Sequence, residues 1–128
     1  AVADAKGMWA IARSVTAETC RGALTQAVEA DVAGGWHPID DASRLEAIRV
    51  IQLQLRIAVE ECLEIEAREQ MSFGQYLAGM AFNSAGFGPV HALSHPPGPT
   101  HNLPPGSLEP ILFPMVLTLT LPNALPRF

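Results

Sequence analysis

The second half of this 128-residue chain is almost without charge. From Met71 to Pro126 the single charged side chain is Glu109. Basic residues are scarce throughout, eight against 13 acids, for a formal charge of −5. No basic stripe exists to meet a phosphate backbone, which excludes nucleic acid as a partner. Cysteine is limited to Cys20 and Cys62, each inside a helical pattern. Both read as small buried hydrophobes rather than as a disulfide or a metal clip. Long hydrophobic runs are missing too. The longest, Ile111 to Leu121, is 11 residues and contains Pro114, whereas spanning a bilayer takes about 20. No basic segment followed by an apolar one opens the chain, so neither a signal peptide nor a membrane partner is read and a cytoplasmic location is expected. Neither a Gly-x-Gly-x-x-Gly nor a Walker loop occurs, and no Gly-x-Ser-x-Gly elbow, so an autonomous nucleotide site and a hydrolase-type serine are not supported.

What is present is 48% apolar, too much for a disordered tail and enough for one domain with a modest core over residues 1–128. The chain begins at Ala1 without a methionine and reads as a fragment or a trimmed piece. Twelve of the 13 acids precede residue 70, and ten of the 11 prolines lie from Pro89 onward. Residues 1–70 therefore read as charged amphipathic helices. Residues 71–128 read as a neutral buried helix, a histidine-bearing helix and a proline-rich segment.

Thr16 is placed to cap a helix running to Val32, with Cys20, Ala23, Leu24, Ala27 and Val28 on one face and Gly34-Gly35 as its stop. Asp40 or Asp41 caps a second helix reaching Leu63. Its stripe is Leu45, Ile48, Ile51, Leu55, Ala58/Val59 and Cys62, with Arg44, Arg49 and Arg56 on a solvated face among Glu46, Glu60 and Glu61. A third runs from Ile65 to Asn83, with Met71, Leu77, Ala78, Ala81 and Phe82 inward, and its charge-poor half from Gly74 to Phe82 reads as buried all round. Gly86-Phe87-Gly88 breaks it. Pro89 opens a short helix to Ser94. Beyond lie a loop to Gly106, a turn at Pro110 to Phe113, and an extended stretch from Val116 to Leu121 that alternates with the period of a strand.

His91 and His95, four apart, project from one face of the short helix, and His101 follows in a proline-bounded loop. Three such histidines can hold a divalent metal with an open position. A hydrogen-bonded histidine pair near a helix end is the plainer reading, since no carboxylate lies within 15 residues except Glu109, which is beyond two prolines.

The run Tyr76-Leu77-Ala78-Gly79-Met80-Ala81-Phe82-Asn83-Ser84-Ala85-Gly86-Phe87-Gly88-Pro89-Val90-His91-Ala92-Leu93-Ser94-His95 resembles the iron-containing (group III) alcohol dehydrogenase family. So do Thr100 to Gly106, Ile111 to Pro114, the segment from Thr16 to Ala30, and Pro38 to Ile48. The resemblance implies an all-α fold: a compact helical bundle, part of the family's C-terminal metal-binding domain, without its nucleotide-binding domain and ending in a proline-rich, extended segment. It implies a metal held by one Asp and three His. Those ligand positions fall at Gly22, Gln26, His91 and Pro105, so three of the four have lost their donors. His95 matches a further active-site histidine, and His101 matches no ligand.

Three readings follow. The first is a redox-inactive, dehydrogenase-derived domain kept for binding or assembly, self-associating or covered by a protein partner over exposed apolar surface. The second is a repurposed metal-independent cyclase, isomerase or lyase acting on a hydrophobic small molecule. It would use His91 and His95 as catalytic groups in an apolar pocket with Gln26, His101 and Phe82. The third is a fragment with no function of its own. No cofactor is expected, a metal on His91, His95 and His101 being the minor alternative. An autonomous NAD(P)-dependent alcohol dehydrogenase is not expected.

Overall fold

The computed structural model describes residues 4–8, 11–32, 38–85, 88–94 and 105–124. A 3-10 turn at Ala5–Met8 is followed by five helices among the described residues: α1 (Arg13–Val32), α2 (Pro38–Glu60), α3 (Ile65–Ala85), α4 (Pro89–Ser94) and α5 (Pro105–Ala124). The expected all-α bundle is what forms. Helices α1, α2 and α3 pack against one another, and α5 lies against α1 and α4. No helix among the described residues is long and apolar enough to cross a membrane.

The core is built largely from small side chains. Ala23 and Ala27 of α1, Ala47 and Ala58 of α2, and Ala67 and Ala78 of α3 surround Ile51, Met71 and Leu77. Alanines at these positions let backbones approach closely and keep helix propensity high. Gly74 marks the tightest approach of α3 to α2, since a Cβ there would stand 2.9 Å from Ile51 Cγ1 and 3.4 Å from Val50 Cγ1. Cys20 is buried, Cys62 is half-buried, and both are free thiols.

Several boundaries and faces differ from the sequence expectations. Helix α1 begins at Arg13, ahead of Thr16, whose hydroxyl donates back to the Ala12 carbonyl at 3.2 Å instead of capping. Helix α2 begins at Pro38, which needs no N–H in a first turn, and ends at Glu60. Arg44 is buried, not solvated. Its Nε meets Asp31 Oδ1 at 2.5 Å and its Nη1 meets Asp41 Oδ1 at 2.6 Å, tying the last turn of α1 to the first turn of α2. With Arg44 turned inward, Leu45 is left 57% exposed. In α3 the stretch expected to be buried all round has an open face at Tyr76 and Met80, because its neighbours cover only one side.

The largest departure is residues 116–121. They are not extended but belong to α5, a 20-residue helix with Pro110, Pro114 and Pro122 inside it. Thr118 and Thr120 donate their hydroxyls to the carbonyls of Pro114 and Val116, at 2.7 and 3.0 Å, a bond only helical geometry permits.

Two glycines in α3 give opposite expectations. Gly74→Ala forces the helices apart and is expected to destabilise by about 1–3 kcal/mol. Gly79, with open space around it, gains helix propensity on substitution, so Gly79→Ala is expected to stabilise by up to about 1 kcal/mol. Urea denaturation of the two variants against the parent chain measures both.

Candidate functional site

The polar centre of the molecule is assembled where α1, α4 and α5 meet. Helix α1 turns Glu29 toward α4, away from the face that carries Ala23 and Ala27, and the residue is only 2% exposed. A buried charge of this kind needs partners. It finds them at the start of α4, whose first N–H groups have no intrahelical acceptor. Val90 N–H donates to Glu29 Oε1 at 2.5 Å and His91 N–H donates to Oε2 at 3.4 Å. The His91 ring also donates through Nδ1 to Glu29 Oε2. The close approach requires glycine at 88, where any Cβ would overlap the Glu29 carboxylate.

The other ring nitrogen, His91 Nε2, faces Glu109 Oε1 of α5 at 3.5 Å. Phe82 lies against the imidazole with ring centroids 4.7 Å apart, and Ser94 Oγ donates to the His91 carbonyl at 3.2 Å. Glu109 in turn leans over Gly22, whose missing Cβ would stand 3.2 Å from Oε2. Burial alone would lower the pKa of His91. The hydrogen bond to Glu29 and the charges of Glu109 and Glu29 outweigh it, and the net direction is upward.

Beside this cluster opens a cleft of about 300 Å³ lined by Glu18, Thr19, Gly22, Ala23, Gln26, Gln75 and Glu109. Ser107 Oγ donates to Glu18 Oε1 at 3.1 Å, fastening the start of α5 to α1. Glu18 and Glu109 form part of the cleft wall beside Gln26, so this cleft is partly acidic, and His91 and Phe82 are not among the described residues that line it. Of the residues singled out from sequence, His91 and Phe82 are in contact and Gln26 lines the cleft. Pro105 is the first residue of α5. His95 and His101 lie outside the described residues. Two residues that build the site, Glu29 and Glu109, were not among those singled out. Glu109 stands out in the sequence as the single charge between Met71 and Pro126, though nothing local says what it meets, and no local pattern marks Glu29.

Residues 16–128 match the family model described as the C-terminal domain of the Fe-containing alcohol dehydrogenase family. The chain belongs to that family. It is 43% identical over 103 residues to the 1,3-propanediol dehydrogenase of Klebsiella pneumoniae, covering 80% of this chain and 27% of the relative. It is 38% identical over 128 residues to the NAD-dependent methanol dehydrogenase of Bacillus methanolicus, covering all of this chain and 34% of that one. The solved structure of an alcohol dehydrogenase from Oenococcus oeni superposes with a TM-score of 0.84 at 39% identity, over 87% of this chain and 29% of that chain. The chain thus spans roughly a quarter to a third of its relatives' length.

The family name implies iron, and the residues here do not fit it. At the ligand positions the resemblance assigns, glycine at 22 has no donor atom, the proline ring at 105 has none, and glutamine at 26 is a weak neutral ligand. His91 keeps its imidazole, but both ring nitrogens face carboxylates of the chain itself. Among the described residues no group of three or more His, Cys, Asp or Glu could hold a metal ion.

Removing Glu29 would leave His91 and the α4 N–H groups buried without their acceptor. Glu29→Ala is expected to cost about 3–5 kcal/mol in chemical denaturation. The raised pKa of His91 sets a sign as well. The stability it contributes is present below the unfolded value of about 6.5 and is lost as pH rises through the higher folded value. An NMR titration is expected to place the His91 midpoint above that of a model histidine, and Glu109→Gln to lower it.

Proposed function

We propose that this dehydrogenase-family domain no longer supports metal-dependent alcohol oxidation and serves as a binding and assembly module. The observation that carries the reading is the position of Glu109. Its carboxylate stands over Gly22, where the ligand Asp of the family pattern would be, and against His91 Nε2, the nitrogen left for a metal once Nδ1 is bonded to Glu29. An internal acid at that place gives the imidazole a partner without a metal ion.

The assembly half of the proposal rests on α5. Ile111, Met115 and Leu119, each one helical turn apart, are 68%, 67% and 75% exposed. They form a continuous apolar row on a helix whose one charge, Glu109, is turned inward. Such a row is costly in water and is stabilised by a covering surface. Pairing with the same row of a second copy opposes no charge to charge and gives a closed two-fold contact. The alternative, a metal-independent enzyme for a hydrophobic small molecule, draws less support, since the cleft beside His91 is lined by acids and amides.

Sedimentation equilibrium of the chain, with metal content measured after gel filtration, tests both halves. A self-associated chain with far less than one metal ion per copy is expected, and Met115→Glu with Leu119→Glu is expected to give monomers with the helical content kept. A strictly monomeric parent chain overturns the assembly reading, and one tightly held iron or zinc per chain overturns the loss of the metal.

A further inference from the structure

Of the eight basic residues in this acidic chain, three open onto one groove between α1 and α2. The groove has a volume of about 330 Å³ and shares no lining residue with the cleft beside Glu109. Arg13, Ala17 and Arg21 stand four apart on α1 and therefore on one face. Arg56 and Glu60 come from α2, and Gln52 of the same helix adds an amide. The rest of the lining, Ala17, Leu55 and Val59, is apolar and half-buried.

The three arginines are exposed, and a single exposed arginine needs no partner but water. Here their commitments differ. Arg56 Nε lies 3.1 Å from both carboxylate oxygens of Glu60. Arg21 Nε donates to the Ala17 carbonyl at 3.1 Å. That bond neutralises no charge, and it draws the guanidinium back one turn, toward Arg13. Among the described residues neither Arg13 nor Arg21 has a carboxylate within ion-pair distance. Three positive charges against Glu60 leave +2 in the groove, in a chain whose formal charge is −5.

We infer that this groove is a binding site for a small phosphate monoester with an apolar ester group. Charge complementarity carries the inference. Such a phosphate brings about −1.5 to −2 charges at neutral pH and three acceptor oxygens, against +2 on the groove. The forks of Arg13 and Arg21 take two of those oxygens, and the Gln52 amide is the donor for the third. A carboxylate offers one charge and two oxygens, so it satisfies fewer of these donors. The ester group lies on Ala17, Leu55 and Val59. A volume of about 330 Å³ is at the small end of ligand sites, roughly 300–1,000 Å³, and admits one phosphate and its substituent rather than a polymer. No residue of α5 or of the Glu29 centre takes part, so the outcome is separate from the loss of metal and from self-association.

The test is an NMR titration of the whole chain with phenyl phosphate, following the arginine Nε–H resonances. Saturable shifts of the Arg13 and Arg21 signals are expected, with one phenyl phosphate bound per chain. Phenylacetate is expected to bind about tenfold more weakly, and inorganic phosphate, which lacks the ring, more weakly than phenyl phosphate. Arg21→Gln is expected to weaken phenyl phosphate about tenfold, whereas Glu60→Gln, which removes the groove's one negative charge, is expected to tighten it. Arg49→Gln removes an exposed charge outside the groove and is expected to leave binding unchanged. All three substituted side chains are exposed, and circular dichroism checks that the variants keep their helices. Absence of saturation, equal affinity for phenylacetate or inorganic phosphate, equal weakening by Arg49→Gln, or weakening by Glu60→Gln overturns the assignment.

Discussion

The buried Glu29 carboxylate holds together parts of the chain that lie about 60 residues apart. Placing an ion there costs several kcal/mol in desolvation, and the cost is offset by two backbone N–H groups and one imidazole nitrogen. The same contacts fix the start of α4, which at six residues is too short to hold itself together. They also set the orientation of His91, and through it the place at which Glu109 of α5 can be received. Gly88 is the steric condition for the whole arrangement, since the backbone of α4 could not reach Glu29 around a side chain.

Seen from the ligand positions of the dehydrogenase family, negative charge has changed its source. Position 22 on α1 carries none, and an acid from α5 reaches the adjacent space. An imidazole held between Glu29 and Glu109 that carries both ring protons offsets one of the two acids, and the N–H groups at the start of α4 stabilise the Glu29 carboxylate. The alanine-rich contacts of α1 with α2 and α3 are independent of that exchange. The helical scaffold thus holds together through contacts that do not pass through positions 22, 26, 91 and 105.

Helices α1 to α3 were legible because their apolar spacing is long and periodic, and their cores follow from it. Alternating Leu and Thr at 117–121 misled because five residues are too few to separate a strand from a helix whose threonines donate back to the preceding turn. No strand among the described residues was available to pair with such a segment. Arg44 misled for another reason. Three- and four-residue charge spacing on α2 looks like a solvated face, and only the meeting of α1 with α2 brings Asp31 to it. His91 was legible through family resemblance, whereas its partners, Glu29 and Glu109, depend on contacts that no local pattern encodes.

Pro110, Pro114 and Pro122 make α5 the helix that depends most on its neighbours. Each deletes an N–H and leaves a carbonyl one turn earlier, at Gly106, Pro110 and Thr118, without its helical donor. An interior proline costs a helix about 3 kcal/mol, so α5 depends on its packing against α1 and α4. The contact of Glu109 with His91 therefore depends on α5 being held against α1 and α4. Fraying of α5 is also the route by which this centre would first open to water.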